Sequence, residues 1–138
     1  MTGNAPSSEE AASSEEVARR VRTALEGADL CLFAELLDPE VHWGPPGATS
    51  PPCRNREQVM AWYERGRAAG TRARVSEVEL LGNQILVGLV VTGNEAAQER
   101  GDGAERWQLL TVRDGRVTDI VAFERRAEAV AWASRPSA

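Results

Sequence analysis

The chain of 138 residues contains no lysine: all 16 of its basic residues are arginine, against 21 Asp and Glu, giving a net charge of −5. This acidic balance argues against a nucleic-acid partner, because affinity for a phosphate backbone rests on an excess of basic side chains. Histidine and tyrosine occur once each and cysteine twice, as His42, Tyr63, Cys31 and Cys53. With no C-x-x-C and no second histidine, no zinc, haem or iron–sulfur spacing can be written, and no metal or other cofactor is expected. The cysteines read as reduced thiols rather than a disulfide. The longest apolar run, near Ile85–Val91, falls far short of the roughly 20 residues of a membrane span. Residues 1–16 are rich in Ser, Ala and Glu and lack the basic and apolar regions of a signal peptide, so a cytoplasmic protein with no membrane partner is expected. G-x-S-x-G and Gly-rich phosphate loops are also missing.

What is present orders itself into helices first and strands afterwards. Residues 1–12 read as a flexible polar leader and 13–138 as one domain. Ser13-x-x-Glu16 has the capping-box pattern and precedes Val17, Val21, Ala24 and Leu25, one apolar stripe of a helix that stops near Gly27. Asp29 is placed to cap a second helix with Leu30, Phe33, Leu36 and Leu37 on its buried side, ended by Asp38-Pro39. Val41-His42-Trp43 reads as a short strand and residues 44–54, with four prolines, as an irregular loop. Asn55 caps a third helix, with Val59, Trp62, Tyr63 and Gly66 on one face, that ends at Gly70. Four strands follow, at 72–81, 84–92, 105–113 and 116–124, with turns at Gly82-Asn83 and Asp114-Gly115 and a polar, Gly-rich loop at 93–104. A terminal helix is expected over 127–133. The strand at 84–92 is apolar on both faces and must be covered on both. The order α-α-β-α-β-β-β-β, with helices grouped before an antiparallel sheet, predicts an α+β fold.

Three stretches in this order resemble the nuclear transport factor 2-like superfamily, and within it the SnoaL-like branch of polyketide cyclases and ketosteroid isomerase relatives. They are Leu36–Trp43 followed by Pro46-Gly47, Asn55–Val59 leading into Trp62-Tyr63, and Val112–Val117 running on to Phe123 and to Arg126–Val130. The resemblance implies a cone-shaped, curved antiparallel sheet wrapped round the helices and enclosing a pocket. It also implies a homodimer through the outer face of the sheet, which would cover the second face of the strand at 84–92. Two isomerase features are missing. The segment Trp43–Gly47 has no carboxylate where those enzymes place their base, and an arginine near Arg20 stands where they carry a tyrosine. In SnoaL-like cyclases an acid/base aspartate sits in the barrel, and Asp119 is the only sheet aspartate here outside a turn.

Asp119 shares strand parity with Val117, Val121 and Phe123, so burial among them would force it to pair or to hold its proton, the profile of a general acid/base. The alternative is a solvated residue or a cross-strand partner of Arg113 or Arg106. His42 could serve as a base near neutral pH, but it faces outward if Val41 and Trp43 face inward. Trp43, Trp62, Tyr63, Trp107 and Phe123 are candidates for an aromatic ligand-binding wall, with core filling as the alternative for each. Arg106 and Gln108 lie on the opposite side of their strand from Trp107, and strand parity alone does not say which side is inward. Arg65, Arg67, Arg72 and Arg74 gather where the third helix ends, which suits its dipole. The expected function is binding of a small apolar or polycyclic metabolite, or cofactor-free acid/base chemistry such as cyclisation or isomerisation, with Asp119 and His42 as catalytic candidates. A non-catalytic dimeric sensing or interaction module is the other class.

Overall fold

In a computed structural model, residues 8–47, 53–93 and 104–134 are described. The expected polar connection lies almost wholly outside them, as do residues 1–7 of the expected leader and residues 48–52 of the expected loop. Helix α1 spans Ser8–Glu26 and so begins inside the stretch expected to be leader. It is followed by α2 (Leu30–Leu36), β1 (Leu37–Gly44), α3 (Arg56–Ala68), β2 (Arg72–Leu81), β3 (Gln84–Thr92), β4 (Ala104–Arg113), β5 (Arg116–Phe123) and α4 (Arg126–Ala133).

The Ser13-x-x-Glu16 pattern lies inside α1 rather than at its start, while the other caps and the hairpin turn act as their chemistry requires. Asp29 accepts a hydrogen bond from the Leu32 amide and caps α2. Asn55 accepts from the Gln58 amide, and the Gln58 side chain reaches back one residue further than in a simple capping box, to the Arg54 amide. Asp114 and Gly115 both adopt positive φ (51° and 78°), the conformation that lets a two-residue turn follow the twist of its strands. Beyond α1 the left-handed residue is Ala28 (φ 53°) rather than Gly27. The second helix is shorter than expected. It stops at Leu36, and Leu37 to Gly44, including Asp38-Pro39, is strand.

The five strands form one sheet in the order β1-β5-β4-β3-β2. It is antiparallel except at one edge, where β1 runs parallel to β5. Register shifts interrupt the β1–β5, β2–β3 and β4–β5 ladders. Each such irregularity raises the local twist and bends its strand, and the sheet is curved and unclosed. Its concave side packs Ile85, Val87, Leu89, Leu110, Val112, Val117 and Ile120 against Val17, Val21 and Ala24 of α1 and Phe33 of α2.

The convex side of β3 and β4 has a separate cluster, in which Leu86, Trp107, Leu109 and Phe123 are buried with Ala129 and packed against Val130 and Trp132 of α4. The second apolar face of β3 is therefore covered by the chain's own last helix. The requirement that suggested a partner subunit is met within one chain. Gly88 pairs with Trp107, and a Cβ there would come within 2.5 Å of the indole and 2.7 Å of Ser76 Oγ. Gly88→Ala should lower stability by about 1–3 kcal/mol through overpacking. Urea unfolding followed by circular dichroism measures this, and an unchanged midpoint would show that Trp107 is not held against the strand.

Candidate functional site

The helices do not fill the concave side. A cavity of about 500 Å³ remains, bounded by the end of α1, by α2 and α3, and by the inner faces of β2 to β5. Small residues make room for it: Ala24, Ala28, Gly66, Ala73 and Ala122 all contribute to its lining. On one wall four aromatic rings form a chain. Trp43 lies 4.4 Å from Trp62, Trp62 meets Tyr63 edge-on at 5.2 Å, and Tyr63 meets Phe33 edge-on at 5.5 Å. Offset and edge contacts of this kind fix ring orientations beyond simple burial.

Each ring is positioned by a local feature of the chain. Trp43 is clamped by a two-way backbone bridge, donating to the Cys53 carbonyl at 3.0 Å and accepting from the Cys53 amide at 3.2 Å. Its buried indole N–H has no hydrogen-bond partner among the described residues. Cys53 is a buried free thiol whose pKa is pushed up by burial, partly offset by Arg65. Trp62, Tyr63 and Gly66 share one face of α3 because of its helical period. Trp62 is 41% exposed, the one large apolar side chain among the described residues that is open to this extent.

The polar centre of the site is a pair. Gln108 is buried, and its Nε2 donates to the Tyr63 hydroxyl at 3.1 Å, joining α3 to β4 across the hollow. Tyr63 keeps some accessible surface, but that surface borders the cavity, where protein atoms surround the phenol. Burial pushes its pKa up to about 12, opposed by the hydrogen bond from Gln108 and reinforced by nearby Cys53. The phenol therefore remains a neutral donor and acceptor across the physiological range.

The other expected site residues divide. Trp43, Trp62 and Tyr63 line the cavity together. Trp107 contributes to the lining, but its ring lies in the convex cluster, 6.0 Å beneath the Arg126 guanidinium. Phe123 is buried on the convex side, 6.0 Å from Trp132, and is outside the cavity lining. Phe33, which the sequence marked only as core, belongs to the aromatic wall. Gln108 and Arg106 face inward, resolving the side of β4 that parity left open.

Asp119 and His42 do come together, with His42 Nδ1 4.0 Å from Asp119 Oδ1, but both side chains are about half exposed and neither lines the cavity. Here the expected strand parity is overturned. Thr111 pairs with Asp119 while Val112 pairs with Val117, so Thr118 is an extra residue. Val117 points inward with Ile120, whereas Asp119 follows Val121 and Phe123 to the convex side. The Asp119 carboxylate accepts from the Thr118 hydroxyl at 3.0 Å.

With this geometry in view, the comparisons with known proteins are specific. The sequence matches the SnoaL-like domain family over residues 18–120. The chain belongs to the SnoaL-like family. Among solved structures, it is similar to a Sinorhizobium meliloti protein provisionally named a polyketide cyclase (TM-score 0.59, 19% identity, covering 78% of this chain and 94% of that one). It is also similar to a Kribbella flavida protein provisionally named a ketosteroid isomerase (TM-score 0.63, 20% identity, 92% and 84%). A third is TerC, co-crystallised with polyporic acid (TM-score 0.58, 14% identity, 89% and 99%). At these identities the likeness establishes the shared fold. The sequence matches no curated relative. No helix among the described residues is long and apolar enough to cross a membrane.

Because Tyr63 is the sole tyrosine of this SnoaL-like chain, its ionisation can be read directly. The tyrosinate absorbance near 295 nm should rise with a midpoint of about 12 in the folded protein. The raised folded value means that the unfolded chain loses this proton first, from about pH 10. Stability from this group is complete below pH 10 and falls as the pH rises towards 12, and Tyr63→Phe should remove that fall. A midpoint near 10 would show a phenol open to bulk water.

Proposed function

We propose that this SnoaL-like chain binds one small, mostly apolar, ring-containing molecule in its cavity, with the Tyr63–Gln108 pair as the polar anchor. The observation that carries the reading is a four-ring wall on one side of the hollow whose Tyr63 is joined by a hydrogen bond to the buried Gln108 of β4. A volume of about 500 Å³ lies within the range of small-molecule sites, which join apolar walls to a few placed polar groups. The co-crystallisation of TerC, a protein of the same fold, with polyporic acid is in keeping with such a role.

Binding is favoured over acid/base catalysis by Asp119 and His42, because both lie outside the cavity lining. Tyr63, protonated at neutral pH, could donate to a ligand carbonyl, the electrophilic half of a cyclisation or isomerisation, but it could not act as the base. Asp29, the only carboxylate of the lining among the described residues, is engaged in capping α2.

Quenching of tryptophan fluorescence by a neutral planar probe, 9-anthracenemethanol, tests the proposal. Trp62→Ala should weaken binding by about tenfold, the loss expected from removing one aromatic contact, with little change in stability. Asp119→Asn should leave the affinity unchanged. Unaltered binding by both Trp62→Ala and Trp43→Ala would remove the aromatic wall from the reading.

A further inference from the structure

The lining of the cavity is positively charged although the chain is acidic overall. Among the described residues, three guanidinium groups, of Arg67, Arg72 and Arg106, border it against the single carboxylate of Asp29. Among the described residues, none of the three arginines forms an ion pair. Arg67 Nη1 donates to the Ala28 carbonyl at 3.4 Å and Arg106 Nη1 to the Glu105 carbonyl at 2.8 Å. Arg72 Nη1 donates to the carbonyls of Arg67 and Thr71, both at 2.9 Å, closing the end of α3. One terminal nitrogen of each fork is used in this way, and a guanidinium carries five N–H donors.

Two of these arginines are placed as a tier above the Tyr63–Gln108 pair. Arg67 follows Tyr63 by four residues on α3, one helical turn or roughly 6 Å along the axis. Arg106 precedes Gln108 by two residues on β4, on the same face and roughly 7 Å away. These displacements run towards the same end of the fold. Gly70, beyond α3, is so close to Gly93, beyond β3, that a Cβ on Gly93 would strike the Gly70 carbonyl. There β3 pairs with the start of β4, Val91 opposite Ala104. A planar molecule lying along the aromatic wall, with a polar atom at Tyr63 and Gln108, therefore has its far end between Arg67 and Arg106.

Resting on the proposed binding role of this cavity, we propose that its ligands are ring compounds bearing an anionic group, a carboxylate or an acidic enol, which Arg67 and Arg106 bind from opposite walls with Arg72 at the rim. Paired guanidinium groups in a partly enclosed site favour an anion through charge-assisted hydrogen bonds, and the apolar wall supplies the rest of the contact.

The test compares 9-anthracenecarboxylate with its neutral counterpart 9-anthracenemethanol, by tryptophan quenching on the full chain. The carboxylate should bind about tenfold more tightly or better. Arg106→Gln and Arg67→Gln should each reduce that preference several-fold, and the double variant should abolish it, while affinity for the neutral probe stays within about twofold and so reports an intact cavity. Equal binding of the two probes by the native chain would overturn the anion site and leave the cavity reading standing. A preference that survives in the double variant would also overturn it. Binding of neither probe would remove the cavity reading and the anion site with it.

Discussion

Strand β3 carries apolar side chains on both faces, and both must leave water at once. Ile85, Val87, Leu89 and Val91 turn towards the helices, and Leu86 turns the other way. A strand of this kind is stable only between two covers. On the concave side the cover is α1 with α2, and on the convex side it is α4, returning over β3, β4 and β5. The rest of the architecture follows from that sandwiching. The central position of β3 and β4 fixes which face of each neighbouring strand is inward, and the register shifts in the ladders bend the sheet around α1.

A bent sheet over a straight helix leaves space that side chains must fill or leave open. Near Ile85 and Leu110 it is filled by buried branched side chains. Towards the end of α3 it is lined by alanines and a glycine, and the hollow persists. The groups facing it are of three kinds: rings held edge to face, one neutral hydrogen-bonded pair, and arginines without carboxylate partners among the described residues. Low polarizability around the pair raises the Tyr63 pKa, and the same enclosure would strengthen the pull of the arginines on an anion. An acidic protein with a locally basic cavity can thus select by charge inside without being a general polyanion binder outside.

The helices, their caps and the hairpin were legible in the sequence because each depends on a few adjacent residues. Asp29, Asn55 and Asp114-Gly115 act through backbone groups no more than four positions away. The family resemblance was legible as well, through the order of those elements. The aromatic wall was half legible: Trp62 and Tyr63 share a helix face by periodicity, but Phe33 joins them only because α2 packs beside α3. Asp119 was misplaced because parity counting assumes an unbroken strand, and one additional residue at Thr118 exchanges the faces beyond it.

The amino-acid sequence alone determined the element order, the acidic charge and the two-faced apolar strand, since each is a property of composition or of short-range spacing, and its resemblance to known sequences carried the family. The tertiary structure decided which side of β4 is inward, that α4 covers the convex face, that Tyr63 meets Gln108, and that Arg67 and Arg106 border one hollow. Those juxtapositions join residues some 40 positions apart, set by sheet register and curvature, and no local pattern encodes them.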